Sequence, residues 1–148
     1  LCDRRQRQMC IRDSRYLEQA VKIAEFILNH PNMPEDLVPY WDYNAPGIPD
    51  EPRDVSAATV TASALYELSM YDETNRTGYV DRADRILENL TNRYRASVGK
   101  DCGFLLLHST GSKTHGSEVD VPIVYADYYY LEALLRKAKL EKEGTALL

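Results

Sequence analysis

The stretch DVSAATVTASALYELSMY, residues 54–71, decides the fold. Apolar and small side chains occupy so many of its positions that a helix built from it has almost no polar face, and Asp54 or Ser56 can cap its first turn. A helix that is apolar nearly all round must be covered on most sides by other elements. This segment therefore predicts an inner, buried helix that ends near Tyr71.

Amphipathic helices are predicted on both sides of this inner helix. Residues 16–28 repeat apolar side chains with the roughly 3.6-residue period of a helix, and residues 78–95 show the same stripe. In the second of these helices, Asp81 and Arg85 are spaced to form an ion pair on the solvated side. Residues 126–138 then form another mostly apolar helix. The order outer, inner, outer, inner predicts an all-α fold of two helical hairpins.

The amino-terminal residues 1–14, LCDRRQRQMCIRDS, differ from the rest of the chain. They hold four of the eighteen Lys and Arg residues and two of the three cysteines, but they show neither a helical nor an alternating period. The segment resembles the translated read-through of a sequencing adapter, so we interpret it as a non-native leader and expect Ser14 to cap the first helix. Residues 15–148 are then part of a single domain, in which the remaining Cys102 cannot form an internal disulfide.

Composition and charge exclude several classes of function. The 148 residues carry 18 Lys and Arg against 23 Asp and Glu, a formal net charge of −5, and they form no basic stripe. Nucleic acid and anionic membranes are therefore poor partners. The longest apolar run, residues 104–107, is far too short to span a membrane and is a candidate short strand. No Cys–His spacing suits zinc, so neither a metal nor a cofactor is predicted.

Two loops of more than 20 residues each precede an inner helix. Structureless loops of that length are uncommon in compact domains and are usually functional. Residues 31–53 carry six of the seven prolines, and residues 98–124 form the second loop. A repeated hairpin with such a loop suits an α/α toroid, in which inner helices line a barrel and the loops form one rim. Two hairpins cannot close that ring, so we predict an incomplete toroid with long rim loops.

The first loop gathers groups that suit an acidic sugar. Trp41 and its neighbouring tyrosines offer flat faces for a sugar ring, and Arg53 beside a helix start suits a carboxylate or a sulfate. The alternative is structural: the aromatic side chains pin the loop to the core, Asp54 only caps the helix, and Arg53 locks the loop through Asp50 or Asp42. Both interpretations stay open at this point.

The second loop is small, polar and punctuated by glycine. Residues 108–122 can wrap a polar ligand with hydroxyls, backbone N–H groups and Lys113. They do not match a P-loop, because the GxxxxGK[ST] spacing is missing. Lys113 has no obvious acidic partner and is therefore the predicted direct contact for an anion.

Two runs together resemble a known family. VPYWDYNAPGIPDEPRDVSAATVTASALYELS (residues 38–69) and HSTGSKTHGSEVDVPIVYADYYYLEALLR (residues 108–136) are similar in order and spacing to the C-terminal part of unsaturated glucuronyl hydrolases, glycoside hydrolase family 88. The resemblance implies about a third of an (α/α)6 toroid, whose missing amino-terminal hairpins would be partners of this chain within the same domain.

The same resemblance implies a chemistry. A bacterial glycosidase of this kind, in the cytoplasm or the periplasm and without a cofactor, hydrates the C4=C5 vinyl ether of an unsaturated uronyl disaccharide left by polysaccharide lyases. In the family the catalytic Asp lies upstream of the matched part. No residue of this chain is therefore assigned as the proton donor, and the fragment itself is expected to be inactive.

The resemblance carries over only substrate-rim roles. The matching positions are the Trp-Asp pair of the first loop, the start of the inner helix, and the part of the second loop near which sulfated substrates are contacted. The predicted substrate-binding residues are Trp41, Asp42, Arg53, Asp54, Ser109, Ser112 and Lys113.

Two alternatives stay open. The related unsaturated rhamnogalacturonyl hydrolases apply the same chemistry to pectin fragments, although the second loop favours a glycosaminoglycan fragment. A non-catalytic helical interaction module is the alternative from a different class. Such a module should expose a contiguous apolar or charged groove, whereas here the aromatic and polar groups concentrate in loops.

Overall fold

The structure is a computed structural model that describes residues 2–145, with side chains described from residue 14 to residue 142. Four helices and no strand occur in the described residues, which confirms the predicted all-α fold. Over the same part of the chain, no helix is both long enough and apolar enough to cross a lipid bilayer. The helices are α1 (Cys2–Leu28), α2 (Val55–Leu68), α3 (Arg76–Arg93) and α4 (Val124–Thr145), and single 3₁₀ turns lie at Asp101–Gly103 and Lys113–His115.

The first helix is longer than the sequence pattern predicts. α1 begins at Cys2 and runs to Leu28, so Ser14 lies inside the helix and does not cap it. Residues 2–13 contain no Gly or Pro and are rich in Arg and Gln, which favour helix, so the helix meets no stop signal before Ser14. The assignment of residues 1–14 as a non-native leader stays a prediction.

Helix α2 forms the centre of the fold. Asp54 caps it by accepting a hydrogen bond from the Ser56 N–H at 3.0 Å, as one of the two predicted caps. The buried side chains of α2 pack mainly against α3 and α4 and much less against α1. The helix ends at Leu68 rather than near Tyr71. Beyond it the chain forms a turn in which the N–H groups of Met70 and Tyr71 donate to the Glu67 and Leu68 carbonyls at 3.0 Å.

Helix α4 is buried on one side only. Ala126, Tyr130 and Ala133 are among its buried residues, whereas Tyr128 and Leu135 are exposed by 59% and 71%. The mostly apolar sequence of this helix predicts burial on most sides, but only one face is buried. A second apolar face therefore remains open to solvent in the described structure.

Polar side chains also tie the two inner helices together. The Ser63 hydroxyl on α2 donates to the Glu132 carboxylate on α4 at 2.5 Å. Arg136 of α4 pairs with Glu67 of α2 at 2.6 Å and donates to the Ser63 carbonyl at 2.7 Å. These contacts fix the register of α2 against α4 in addition to the apolar packing.

The predicted short strand at residues 104–107 is wrong. Leu106 makes only an isolated antiparallel bridge with Arg95. The backbone N–H groups of Leu105 and Leu106 instead donate to the two carboxylate oxygens of Asp127, at 2.9 and 3.0 Å. Because a side chain in the first turn of α4 takes both donors, the segment is pinned to that helix and forms no ladder.

Candidate functional site

The two long loops meet at the start of α2. The Asp54 carboxylate that caps α2 also lies 3.4 Å from the backbone nitrogen of Thr110, in the second loop. The Thr110 hydroxyl donates to the Arg53 carbonyl at 2.9 Å, and the Val55 N–H donates to the His108 carbonyl at 3.2 Å. Asp54 is therefore more than a helix cap, because it joins both loops to one helix end.

Glu51 organises the aromatic side of the site. Its carboxylate accepts a hydrogen bond from the Trp41 indole N–H at 2.8 Å and an ion-paired hydrogen bond from the Lys113 ammonium. The Lys113 nitrogen also lies 5.1 Å from the centroid of the Trp41 ring, within cation–π range. The hydrogen bond from Lys113, followed by that from Trp41, holds the pKa of Glu51 below its usual value.

The expectation that Lys113 lacks an acidic partner is therefore wrong. Glu51 precedes Lys113 by 62 residues, and only the meeting of the two loops brings them together. Trp41, Glu51 and Lys113 form a compact cluster, hereafter the rim triad.

Arg53 stabilises the first loop, but through a different carboxylate from those predicted. Its guanidinium pairs with Asp36 at 3.2 Å rather than with Asp50 or Asp42, and it also donates to the Val38 carbonyl. The guanidinium carbon lies 4.5 Å from the centroid of the Tyr40 ring. The structural role proposed for Arg53 is thus present, with Asp36 as the partner.

Asp36 is the buried acceptor of a hydrogen-bond network that the sequence did not predict. Its side chain is only 8% exposed and accepts hydrogen bonds from the Tyr94 hydroxyl at 2.7 Å and from the Val38 N–H at 3.2 Å, besides pairing with Arg53. Burial, and then the hydrogen bond to Asp36, raises the pKa of Tyr94 to about 12. The available signal was an acidic residue directly before the buried run Leu37-Val38-Pro39-Tyr40.

The other predicted site residues lie in different environments. Asp42 is exposed, and its carboxylate accepts the Asn44 N–H at 2.8 Å, which closes a local turn. Ser112 is half-buried and lies 3.0 Å from a ring nitrogen of His115. Ser109 is fully buried, and its hydroxyl has no hydrogen-bond partner among the described residues. Of the predicted serines, Ser112 is the one within reach of solvent.

A cleft of about 640 Å³ opens beside the rim triad. His108 and Asp120 form one wall, 2.7 Å apart, and both hold a positive φ, of 67° and 55°. The Tyr94 and His108 rings form a T-shaped contact, with their centroids 6.1 Å apart. Fixed cations beside aromatic faces can bind a sugar ring that carries an anionic group. Besides these residues, the cleft is lined by Asp50, Glu51, Pro52, Arg53, Arg93, Lys113 and Val119.

No group of three or more His, Cys, Asp or Glu side chains with a metal-binding arrangement occurs in the described part of the chain. The residues that line the cleft offer recognition through charge, hydrogen bonds and aromatic faces.

Comparisons with known proteins give a consistent result. An unsaturated glucuronyl hydrolase from Formosa agariphila is 47% identical over 127 residues, which are 85% of this chain and 31% of that protein. A crystal structure of an unsaturated glucuronyl hydrolase specific for heparin superposes with a TM-score of 0.85 at 45% identity, covering 88% of this chain and 35% of the other. A third relative is an unsaturated glucuronyl hydrolase variant from Streptococcus agalactiae in complex with dGlcA-GalNAc6S. It has a TM-score of 0.66 at 32% identity and covers 72% of this chain and 29% of that one.

The matches are extensive along this chain and partial along its relatives. The chain spans about a third of the length of the curated relatives it matches. No protein-family profile matches it. The sequence and the fold nevertheless point to the same group of proteins.

Proposed function

We propose that the chain forms part of a glycoside hydrolase of the unsaturated glucuronyl hydrolase family, because it is homologous to these proteins over about a third of their length. Its substrate would be an unsaturated uronyl disaccharide of the chondroitin or hyaluronan type, produced by a polysaccharide lyase. The fold class agrees with this proposal, since the four helices correspond to two outer and two inner helices of an α/α toroid.

The proposed reaction is the hydration of a vinyl ether. A carboxylic acid gives its proton to C4 of the C4=C5 bond, and water adds its hydroxyl group at C5. The resulting hemiketal opens and releases the neighbouring sugar together with the unsaturated uronic acid in its rearranged form. We place the proton donor in the part of the relatives that this chain does not span, so residues 15–138 contribute a segment of the substrate rim.

The observation that supports this rim role most directly is the meeting of the two loops at the start of α2. It brings Glu51, Lys113 and the positioned Arg53 to one cleft, where Trp41 bonds to Glu51 and Ser112 precedes Lys113 in the chain. Trp41 offers an aromatic face, while Lys113 offers a charge that an anionic sugar substituent would share with Glu51. Arg53 acts by fixing the loop, because Asp36 and Val38 already occupy its guanidinium.

A chimera tests the proposal. Residues 15–142 of this chain would replace the matching third of the Formosa agariphila enzyme, and turnover would be followed as the loss of C4=C5 absorbance from an unsaturated chondroitin disaccharide. We expect the chimera to turn over this substrate and the isolated chain to be inactive, because proton delivery needs an acid within hydrogen-bond reach of the reacting carbon.

Three comparisons make the outcome decisive. The unmodified Formosa agariphila enzyme is the matched control, and cooperative thermal melting shows that the chimera has folded. A folded chimera without activity would refute the proposal and favour a non-catalytic helical module. Faster turnover of an unsaturated rhamnogalacturonyl disaccharide would move the assignment to the pectin-degrading relatives.

A further inference from the structure

A second cavity, of about 810 Å³, lies between the end of α1, the start of the first loop and one face of α3. Its walls are mostly polar, and apart from Arg93 none of them lines the cleft beside the rim triad. We call it the α3 groove. Its basic and amide side chains are Arg82, Arg85, Arg93, Asn29, Asn89 and Asn92.

The arginines of the α3 groove are available for a ligand. None of Arg82, Arg85 and Arg93 forms an ion pair with a carboxylate within the described residues. The predicted pair between Asp81 and Arg85 is absent there as well. At 100° per residue, the spacing of 82, 85, 89 and 93 places these side chains on one face of α3. Three guanidinium groups therefore line one groove without a direct ion pair among the described residues.

The acidic residues of the groove limit the kind of anion that fits. Asp36 is already paired with Arg53 and bonded to Tyr94, which leaves Glu35 and Glu88 as exposed acids. Three arginines against two glutamates leave one positive charge in excess. A ligand with spaced negative charges and many hydroxyls suits this mixture better than a dense polyanion, because amides and arginines can bind hydroxyls and carboxylates between the glutamates.

Aromatic rings lie beside the groove at the α1 end, where Phe26 and Tyr43 contact the ring of His30. His30 lines the groove, and its ring centroid lies 5.3 Å from that of Phe26 and 4.7 Å from that of Tyr43. Phe26 is 60% exposed, so its ring offers an open face. Exposed aromatic faces beside hydrogen-bonding side chains suit the apolar face of a sugar ring.

The α3 groove and the cleft beside the rim triad are neighbouring cavities with one lining residue in common. Arg93 lines both cavities, and Asp36 lines the groove while it holds Arg53 and Tyr94 of the cleft. We propose that the α3 groove is an extended subsite for an acidic oligosaccharide, occupied by residues of a substrate longer than a disaccharide. This inference rests on the proposed function for the orientation of the sugar chain, although binding in the groove can be measured without hydrolysis.

Affinity as a function of chain length tests the inference on the 148-residue chain itself. Unsaturated chondroitin disaccharide, tetrasaccharide and hexasaccharide would be titrated by calorimetry, with side-chain amide resonances of Asn89 and Asn92 observed by NMR. We expect the hexasaccharide to bind roughly tenfold more tightly than the disaccharide, which corresponds to one added charge-assisted contact. The amide resonances should shift with the hexasaccharide only.

Two variants separate the groove from the rest of the surface. Arg85→Ala should remove the gain with chain length and leave the disaccharide affinity unchanged, because Arg85 lies outside the cleft. Arg76→Ala, at the exposed start of the same helix and outside the groove, should change neither affinity.

The remaining outcomes decide between interpretations. A hexasaccharide affinity equal to that of the disaccharide, or a gain that survives Arg85→Ala, would overturn the inference. Equal competition by linear polyphosphate would also overturn it, since it would show a general anion surface. A gain lost in Arg85→Ala, combined with an inactive chimera, would keep the oligosaccharide groove and refute the proposed hydrolase.

Discussion

Replacing the buried Asp36 by alanine should destabilise the chain more than any comparable change in the first loop. The change removes the acceptor of the Arg53 guanidinium at 3.2 Å and that of the Tyr94 hydroxyl at 2.7 Å. Both bonds end on the same charged carboxylate, and a hydrogen bond to a charged group contributes roughly 1.5–3 kcal/mol. Because Val38 still accepts from Arg53, we expect the free energy of unfolding to fall by about 3 kcal/mol, the lower end for a broken buried pair.

Urea denaturation measures this loss, and Asp42→Ala is the matched control. The control makes the same substitution in the same loop, but Asp42 is exposed and, among the described residues, its carboxylate accepts only the Asn44 N–H. We expect the control to cost under about 1 kcal/mol. For a chain of this length, about 3 kcal/mol corresponds to roughly a 10 °C lower melting temperature. Equal losses in the two variants would refute the reasoning that the Asp36 network stabilises the loop.

The Asp36 network also makes the stability of the fold decrease at high pH. The pKa of Tyr94 is raised to about 12 in the folded chain, first by burial and then by Asp36, whereas an unfolded tyrosine titrates near pH 10. The neutral hydroxyl thus contributes stability that is fully present below pH 10 and is lost as the pH rises towards 12. Because Asp36→Ala removes one cause, the variant should lose less stability over this interval and its tyrosinate absorbance should appear at lower pH.

Two further predictions concern the open apolar face and the rim triad. The isolated chain should self-associate through the exposed Tyr128, Leu131 and Leu135 of α4, which sedimentation would measure. Leu135→Glu should shift the chain towards monomer. A compact wild-type monomer at high concentration would contradict this prediction. In the active chimera, Lys113→Ala should raise KM about fivefold to tenfold for a sulfated disaccharide and scarcely for the unsulfated one, whereas equal effects would mean that Lys113 only holds Glu51 in place.

The helices follow from local patterns, so most of the fold could be predicted from the sequence. The apolar stretch at residues 54–71 does form the central helix, and Asp54 does cap it. The errors lie at helix ends. Nothing in residues 2–13 stops α1, and α2 ends in a turn at residues 69–71 before the apolar pattern does.

The site could be predicted only in part, because its contacts are long-range. The sequence identified both loops and the cationic side chains, since charge and aromatic content are visible locally. It did not identify Glu51 as the partner of Lys113 or Asp36 as the partner of Arg53, which are 62 and 17 residues away. Loops have no periodicity that fixes which of several acids faces a given base, so the choice depends on the fold.

The double role of Asp54 has a kinetic consequence. Its bond to Ser56 is local and forms with the helix, whereas its contact with Thr110 closes a loop of 56 residues. Such closure costs chain entropy that local contacts do not. We therefore expect the helices to assemble before the rim. Thr110→Ala removes the hydroxyl bond to the Arg53 carbonyl across the same junction, so it should accelerate unfolding while leaving the folding rate nearly unchanged. The chain would then pass through a transition state in which its helical frame is built and its binding surface is not.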